Sequence, residues 1–161
     1  MPTVANGRNP GGAAFAIDFD TKGADAWLDG ILQATEESIR PAAQAGAEEL
    51  YLETRLRVPQ SAQGHYFYGK NSKSTGVKYY FDPGSLRDAI YQVYSKDNSG
   101  KLRATYHIAW NHQKVPYGFM VEYGTSRAPA HPFLRPAYAA RKDFALEVTR
   151  AHLVKDVKKV L

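Results

Sequence analysis

The segment that most constrains the fold is residues 115–138, VPYGFMVEYGTSRAPAHPFLRPAY. Residues 117–123 are too apolar for a solvated loop, and residues 124–126, Gly-Thr-Ser, end whatever precedes them. Pro129 and Pro132 then hold the backbone extended, since each proline fixes its own φ and pushes its predecessor out of the helical region. We therefore expect a buried turn of structure, followed by a sharp change of direction and a helix.

Glu122 is the one acidic residue in this apolar context. A carboxylate that is buried without a partner is costly, so Glu122 requires one nearby. Arg127 and Arg135 are the natural candidates, because an arginine can hold a carboxylate through two hydrogen bonds. The pair could lie within the chain, where it would fix the turn, or across a subunit boundary, and the sequence leaves both arrangements open.

Helical spacing of apolar residues predicts a long N-terminal helix that begins near Ala24. Pro41 either ends this helix or kinks it, because proline removes a backbone donor and crowds the preceding turn. Helical spacing resumes over residues 42–57, and the Val58-Pro59 pair is expected to end it. The apolar side chains expected on one side of its first half are Trp27, Leu28, Ile31, Leu32 and Ile39.

A second long helix is predicted over residues 133–161, where apolar residues recur at steps of three and four. Pro136 fits its first turn, where the missing N–H costs nothing. The side chains expected on its apolar face are Leu134, Ala137, Tyr138, Phe144, Ala145, Val148, Ala151, Val154, Val157 and Leu161.

Alternation of side chains predicts strands over residues 13–19, 90–94 and 101–110. The last two flank a turn at residues 96–100 and are expected to pair as an antiparallel hairpin. Residues 1–12 are rich in Gly, Pro and Asn and are expected to form a flexible arm.

The predicted fold class is α+β. A chain of 161 residues fits one domain, which we expect over residues 13–161. Its predicted architecture is a small antiparallel sheet of about four strands, packed against the long kinked N-terminal helix and the long C-terminal helix.

Residues 60–82 contain two aromatic segments that flank a polar centre. Residues 69–76, GKNSKSTG, contain no hydrophobic side chain and are expected to be a loop, so the whole segment predicts a β-hairpin or an extended excursion. Interleaved aromatic and basic side chains can stack on bases and neutralise phosphates, which makes this the best candidate for nucleic-acid binding. We favour paired strands whose aromatic side chains pack across the hairpin or on a neighbouring subunit. The candidate interface residues are His65, Tyr66, Phe67, Tyr68, Lys70, Lys73, Lys78, Tyr79 and Tyr80.

The charge distribution is asymmetric within a chain of net charge +5. Acidic residues concentrate in the N-terminal third, whereas basic residues concentrate beyond Arg55. In a self-assembling protein, this asymmetry would let the acidic face of one subunit meet the basic face of the next.

The residue types present argue against several functions. The sequence has no cysteine, which excludes disulfides, thiol nucleophiles and thiolate metal sites. His107 and His112 would lie on opposite faces of a strand, and no catalytic or cofactor motif is present, so we expect neither an enzyme nor a bound metal or cofactor. No run approaches the roughly 20 apolar residues of a membrane span, and the first residues lack a signal-peptide pattern. We therefore expect a protein of the cytoplasm without a membrane partner.

The segment around Glu122 resembles the signature of the gene-ten-like tail-component family of long-tailed bacteriophages. In that signature an aromatic residue and a small apolar cluster precede Glu-x-Gly-Thr, and a proline-bearing gap leads to Pro-Phe-Leu-Arg-Pro-Ala. The matching residues here are Tyr117, Val121, Glu122, Gly124, Thr125, Pro132, Phe133, Leu134, Arg135, Pro136 and Ala137. Val58-Pro59 and residues 84–90 resemble two further parts of the family, which the insertion at 60–82 separates.

This resemblance implies a structural virion protein rather than an enzyme. Proteins of the family lie in the neck or tail-completion region, so the expected form is a homo-oligomeric ring, six-fold first and twelve-fold second, in the head-to-tail connector. Such a hexamer would be assembled in the host cytoplasm as a neck, tail-completion or tail-terminator layer. Its implied partners are itself, other neck, connector or tail proteins, and DNA that passes through the lumen without sequence-specific contacts. The insertion and the termini are the expected contact regions.

Overall fold

A computed structural model describes residues 20–69 and 72–159. The predicted arm at 1–12, the predicted strand at 13–19, Lys70 and Leu161 of the predicted C-terminal helix lie outside these ranges. Within them the elements follow in the order α1 Lys22–Arg57, β1 His65–Phe67, α2 Ser72–Thr75, β2 Tyr79–Phe81, α3 Ser85–Asp88, β3 Ile90–Tyr94, β4 Tyr106–Trp110, α4 Gly118–Tyr123 and α5 Leu134–Val157. The α+β class is confirmed.

Helix α1 runs as one element across Pro41 and ends at Arg57. Pro41 therefore does not end the helix, although its ring nitrogen cannot donate the backbone hydrogen bond that another residue would. Val58 is extended, with φ −60° and ψ 123°. The residue before a proline avoids the helical region, so Pro59 explains why the helix ends at the predicted place.

Helices α1 and α5 pack against each other in antiparallel directions. The buried residues of α1 include small ones four apart, namely Ala34, Ser38, Ala42 and Gly46. Gly46 meets Ala145 and Thr149 of α5, whereas Glu53, two turns later, accepts a hydrogen bond from Arg141 Nε at 3.2 Å. Small side chains at the crossing let the two helices approach closely.

The core of large side chains lies beyond the C-terminal end of α1. Val58, Phe81, Leu86, Ile90, Val115 and Phe133 form one buried cluster. Phe133 has no exposed surface and lies edge to face with Trp110, with ring centroids 6.0 Å apart. This contact joins the segment directly before α5 to the end of β4.

The predicted four-stranded sheet is wrong, because residues 20–69 and 72–159 form two separate two-stranded antiparallel sheets. Strands β1 and β2 pair Tyr66 with Tyr80, and β3 and β4 pair Gln92 with Ile108. The hairpin predicted between residues 90 and 110 is confirmed, but β4 covers only Tyr106–Trp110 of the range 101–110. Residues 100–103 instead form a tight turn that pairs Gly100 with Arg103. Next to it, the Thr105 N–H donates to Ser99 Oγ and the Thr105 hydroxyl donates to the Asn98 carbonyl oxygen, so side chains replace part of the backbone ladder.

Two further local predictions are wrong. The loop expected at 69–76 contains the short helix α2, and the turn expected at 117–123 is the helix α4. In α4 the apolar residues face both the core and the exterior, since Val121 packs on the core whereas Phe119 is exposed. Because a helix turns successive side chains to different sides, apolar residues of α4 lie both in the core and on the surface. The sequence of residues 117–123 is therefore largely apolar although only part of it is buried.

The predicted apolar faces of the long helices are only partly buried. Trp27, Leu28 and Leu32 of α1 are about half exposed, as are Tyr138, Phe144 and Val154 of α5. The contact between the helices uses alanine, glycine, serine and threonine instead. Helical periodicity thus identified the apolar face of each helix. It did not show whether other parts of the same chain pack on that face.

We expect Gly46→Ala to destabilise the protein, because a Cβ at this position would overlap Thr149 Oγ1 and lie 2.7 Å from the Ala145 carbonyl oxygen. Overpacking costs about 1 to 3 kcal/mol, which exceeds the gain of up to about 1 kcal/mol from replacing a helical glycine. The matched control is Gly23→Ala in the same helix, where a Cβ would meet no atom within 4 Å. Thermal unfolding should show a lower midpoint for Gly46→Ala and an unchanged or higher midpoint for Gly23→Ala.

Candidate functional site

The segment after α4 reverses direction at Gly124. This glycine has φ 76°, a value in the region that favours glycine, and its N–H donates to the Met120 carbonyl oxygen at 2.8 Å. A Cβ here would lie 2.8 Å from the backbone nitrogen of Ala130, so the returning chain needs the space that glycine leaves. The return is fixed by the N–H of His131, which donates to the Val121 carbonyl oxygen at 2.8 Å.

This reversal places the carboxylate of Glu122 at the N-terminus of α5. Glu122 is 1% exposed. Its Oε2 accepts hydrogen bonds from the backbone N–H groups of Phe133 at 2.7 Å and Leu134 at 3.1 Å. Its Oε1 accepts from the backbone N–H of Arg135 at 3.3 Å and from the side-chain Nε of Arg135 at 3.1 Å. The carboxylate thus satisfies donors at a helix start that has no capping side chain of its own.

The hypothesis that Glu122 pairs with an arginine is confirmed for Arg135, and the pair lies within the chain. Arg135 also donates through Nη2 to the Glu122 carbonyl oxygen at 3.3 Å and lies over the ring of Tyr123, 4.8 Å from its centroid. Arg127 takes no part; its backbone N–H bonds Thr125 Oγ1 in the preceding turn. The chain therefore satisfies Glu122 without a second subunit.

The carboxylate of Glu122 is charged at neutral pH despite its burial. Burial alone raises the pKa of Glu122, but the N–H groups of Phe133 and Leu134 and the side chain of Arg135 outweigh it, so its pKa lies below the ordinary value. The partial positive charge of the helix N-terminus favours the same state. Glu122 is therefore an acceptor of fixed charge and not a proton donor or acceptor poised near pH 7.

The other signature residues divide between the core and the turn. Phe133 and Ala137 are fully buried, and Tyr117, Val121 and Leu134 pack against the core cluster. Thr125 closes the turn through its hydroxyl, whereas Pro132 is exposed before the helix and Pro136 is half-buried in its first turn. Burial raises the pKa of the Tyr117 hydroxyl. These residues therefore form one structural junction between α4 and α5.

The candidate interface residues lie on the hairpin β1–β2, whose two faces differ. His65 and Phe67 face the core, where the rings of Phe81 and Tyr117 approach edge to face at 4.9 Å. The opposite face carries Tyr66 and Tyr80, whose rings are 5.1 Å apart and more than half exposed.

The remaining candidate residues are exposed around the outer end of the hairpin. Tyr68 and Tyr79 are more than half exposed, and Lys78 Nζ lies 5.8 Å from the centroid of the Tyr68 ring. Lys73 is exposed on α2. The structure thus brings Tyr66, Tyr68, Lys78 and Tyr80 to one surface and separates them from His65 and Phe67.

Sequence reasoning missed the backbone donors at the start of α5 as partners of Glu122, since it searched only for cationic side chains. It also missed Glu53, which accepts from Arg57 and Arg141 and whose pKa these two hydrogen bonds lower. One signal could have identified the backbone donors as partners of Glu122. The helical pattern that begins α5 has no Ser, Thr, Asp or Asn at its N-cap, and Glu122 lies eleven residues before this N-cap.

Within residues 20–69 and 72–159, no group of His, Asp or Glu has a metal-binding arrangement, and no helix is long and apolar enough to cross a membrane. Comparisons of this chain with models of protein families, with curated proteins and with solved structures give no significant match. The functional interpretation therefore depends on the junction, the hairpin and the exposed surfaces themselves.

We expect Glu122→Gln to lower the free energy of unfolding by about 1.5 to 3 kcal/mol, the usual contribution of a hydrogen bond to a charged group. Glutamine is neutral and brings two N–H donors to a site built from donors. The control is Glu147→Gln on the exposed side of α5, for which a change within about 0.5 kcal/mol is expected.

The free energy of unfolding that is lost in Glu122→Gln should depend on pH. Because the pKa of Glu122 is lowered by folding, its contribution is present above the unfolded-state value of about 4.3 and is lost as the pH falls through the folded-state value. Denaturant unfolding at a series of pH values should show the difference between the wild-type protein and Glu122→Gln narrowing with acidification. A constant difference would mean that the charge of Glu122 is not what stabilises the junction.

Proposed function

We propose that this protein is a structural virion component of a tailed bacteriophage that forms a homo-oligomeric ring in the head-to-tail connector. The ring would act as a neck, tail-completion or tail-terminator layer with a lumen for DNA, and it has no catalytic role. Two lines of support stand behind the proposal. The residues that carry the family resemblance meet in one junction around Glu122, and many large apolar side chains of the described residues are exposed.

The observation that carries the proposal is this exposed surface. Among the described residues, 20 large apolar side chains are exposed, whereas 12 apolar residues are buried and half of those are alanines. Isolated exposed apolar side chains are ordinary, but contiguous ones mark surfaces that another protein covers. Here they cluster at the start of α1, around Tyr138 and Leu146 of α5, and on the hairpin. Several separate surfaces fit a subunit with neighbours on more than one side.

The proposed assembly predicts rings in solution or on the virion. Light scattering of the purified protein over a range of concentrations should give a mass that is a multiple of the 17.9 kDa subunit, six-fold by preference, and negative-stain images should show a central hole. If the protein is a monomer, antibody label should still map to the neck of phage particles. A monomer that is also absent from the neck would refute the proposal.

A second candidate function is binding of single-stranded nucleic acid, and the outer face of the hairpin favours it. Tyr66, Tyr68 and Tyr80 are more than half exposed beside Lys78. Exposed aromatic rings stack on bases irrespective of sequence, and a nearby ammonium group neutralises phosphate. Against this function, neither β1 nor β2 contains a lysine or an arginine; Lys78 precedes β2, and Lys73 lies on α2.

If the hairpin binds single strands, Tyr68→Ala should weaken binding of a single-stranded DNA oligonucleotide by about 5-fold or more, since a stacked base contributes about 1 to 3 kcal/mol. Affinity should also fall steeply with salt concentration. The control is Tyr91→Ala, which removes an exposed tyrosine from the other sheet. Fluorescence anisotropy that shows equal losses for both variants, or no salt dependence, would exclude the hairpin as the binding surface.

A further inference from the structure

Among the described residues, no element covers the first three turns of α1. Residues 20–29 are all exposed, and the first buried residue of the helix is Ala34. A helix gains most of its stability by packing an apolar face, so a short free end is marginal in water. This end is about 18 Å long for residues 22–33, and packing against a partner would stabilise it.

The free end has an apolar stripe with an acidic border. Trp27, Leu28 and Leu32 are 54%, 50% and 52% exposed, and they lie on one face together with Ile31. Asp25 and Asp29 lie along the Leu28 and Leu32 edge of this face, and neither forms a salt bridge within the described residues.

A groove with matching properties lies between the second half of α1, β4 and α5. It consists of two adjoining cavities of about 310 and 470 Å³ that share Leu50, Tyr106 and Tyr138. Leu146 lines the smaller cavity, and its side chain is 54% exposed. Its basic border comes from Lys142 and Arg135 of α5. Arg135 already pairs with Glu122, which lines the same cavity, whereas Lys142 forms no salt bridge within the described part of the chain. The cavities are the size of large side chains rather than of a whole helix.

We propose that the free end of α1 from one copy docks into this groove of a second copy, with Trp27, Leu28 and Leu32 in the cavities and Asp25 and Asp29 against Lys142 and Arg135. The charges of the two surfaces are complementary. The contact must join two copies, because residues 22–33 and the α1 wall of the groove belong to one uninterrupted helix, which cannot fold back on itself.

This contact is heterologous, since it uses different surfaces on the two copies, and repetition of it produces a closed ring or an open filament. The inference rests on the proposed self-assembly and names the surfaces that would carry it. Each copy offers one free end and one groove, so every copy in the assembly can use both.

Disulfide trapping tests the contact directly, because the chain has no cysteine of its own. Leu28→Cys and Leu146→Cys chains, one carrying a tag that alters its mass, are mixed and oxidised. The mixed disulfide dimer should exceed each same-variant dimer at least about 5-fold. The matched control replaces Leu146→Cys with Leu102→Cys, whose side chain is equally exposed at 57% but lies outside the groove, and here no excess is expected. Circular dichroism checks that each variant is folded.

The outcomes separate this inference from the proposed ring. Oligomers by light scattering without an excess of mixed disulfide would overturn the docking contact and leave the ring intact. An excess of mixed disulfide in open filaments, with no ring on or off the virion, would support the contact and overturn the ring. A chain that is monomeric at all concentrations and gives no mixed disulfide would overturn the contact.

Discussion

The structure depends on the carboxylate of Glu122 at the N-terminus of α5. Four hydrogen-bond donors from residues 133–135 converge on it, and its two oxygens hold a helix that would otherwise begin with unsatisfied N–H groups. Because Phe133 donates one of these bonds and is also fully buried in the core, the cap and the core fix each other. This contact places the start of α5 against the core.

The pairing of the two long helices places a second constraint on the chain. Gly46 against Ala145 and Thr149 brings the two backbones close. The larger side chains of both helices are left on other faces, where Leu50 and Tyr138 border an open groove. An α+β protein of this size with an alanine-lined helix contact has a modest core and depends on polar contacts, such as Glu53 with Arg141, at the margins.

The sequence predicted the elements that depend on local rules and failed where tertiary contacts decide. Val58-Pro59 ends α1 through backbone sterics alone, and β3 follows the predicted residues 90–94 because its alternation is local. The sequence identified Arg135 as a candidate partner of Glu122. It did not identify the backbone N–H groups of Phe133 and Leu134, because every residue type except proline has such a donor. Trp27 and Leu28 were placed on the apolar side of the helix and are about half exposed. Periodicity reports that a face is apolar, but it cannot report whether the same chain covers that face.

A ring of identical subunits closes only if the angle between its two contact surfaces is fixed, because a heterologous contact with a different rotation gives a filament. In the proposed contact both surfaces include parts of α1, so one continuous helix sets much of that angle. Another wall of the groove is α5, whose start is held by Glu122 and which Glu53 and Arg141 tie to α1 farther along. Glu122 also lines the groove, so in the proposed contact the buried carboxylate would hold the surface to which the neighbour binds.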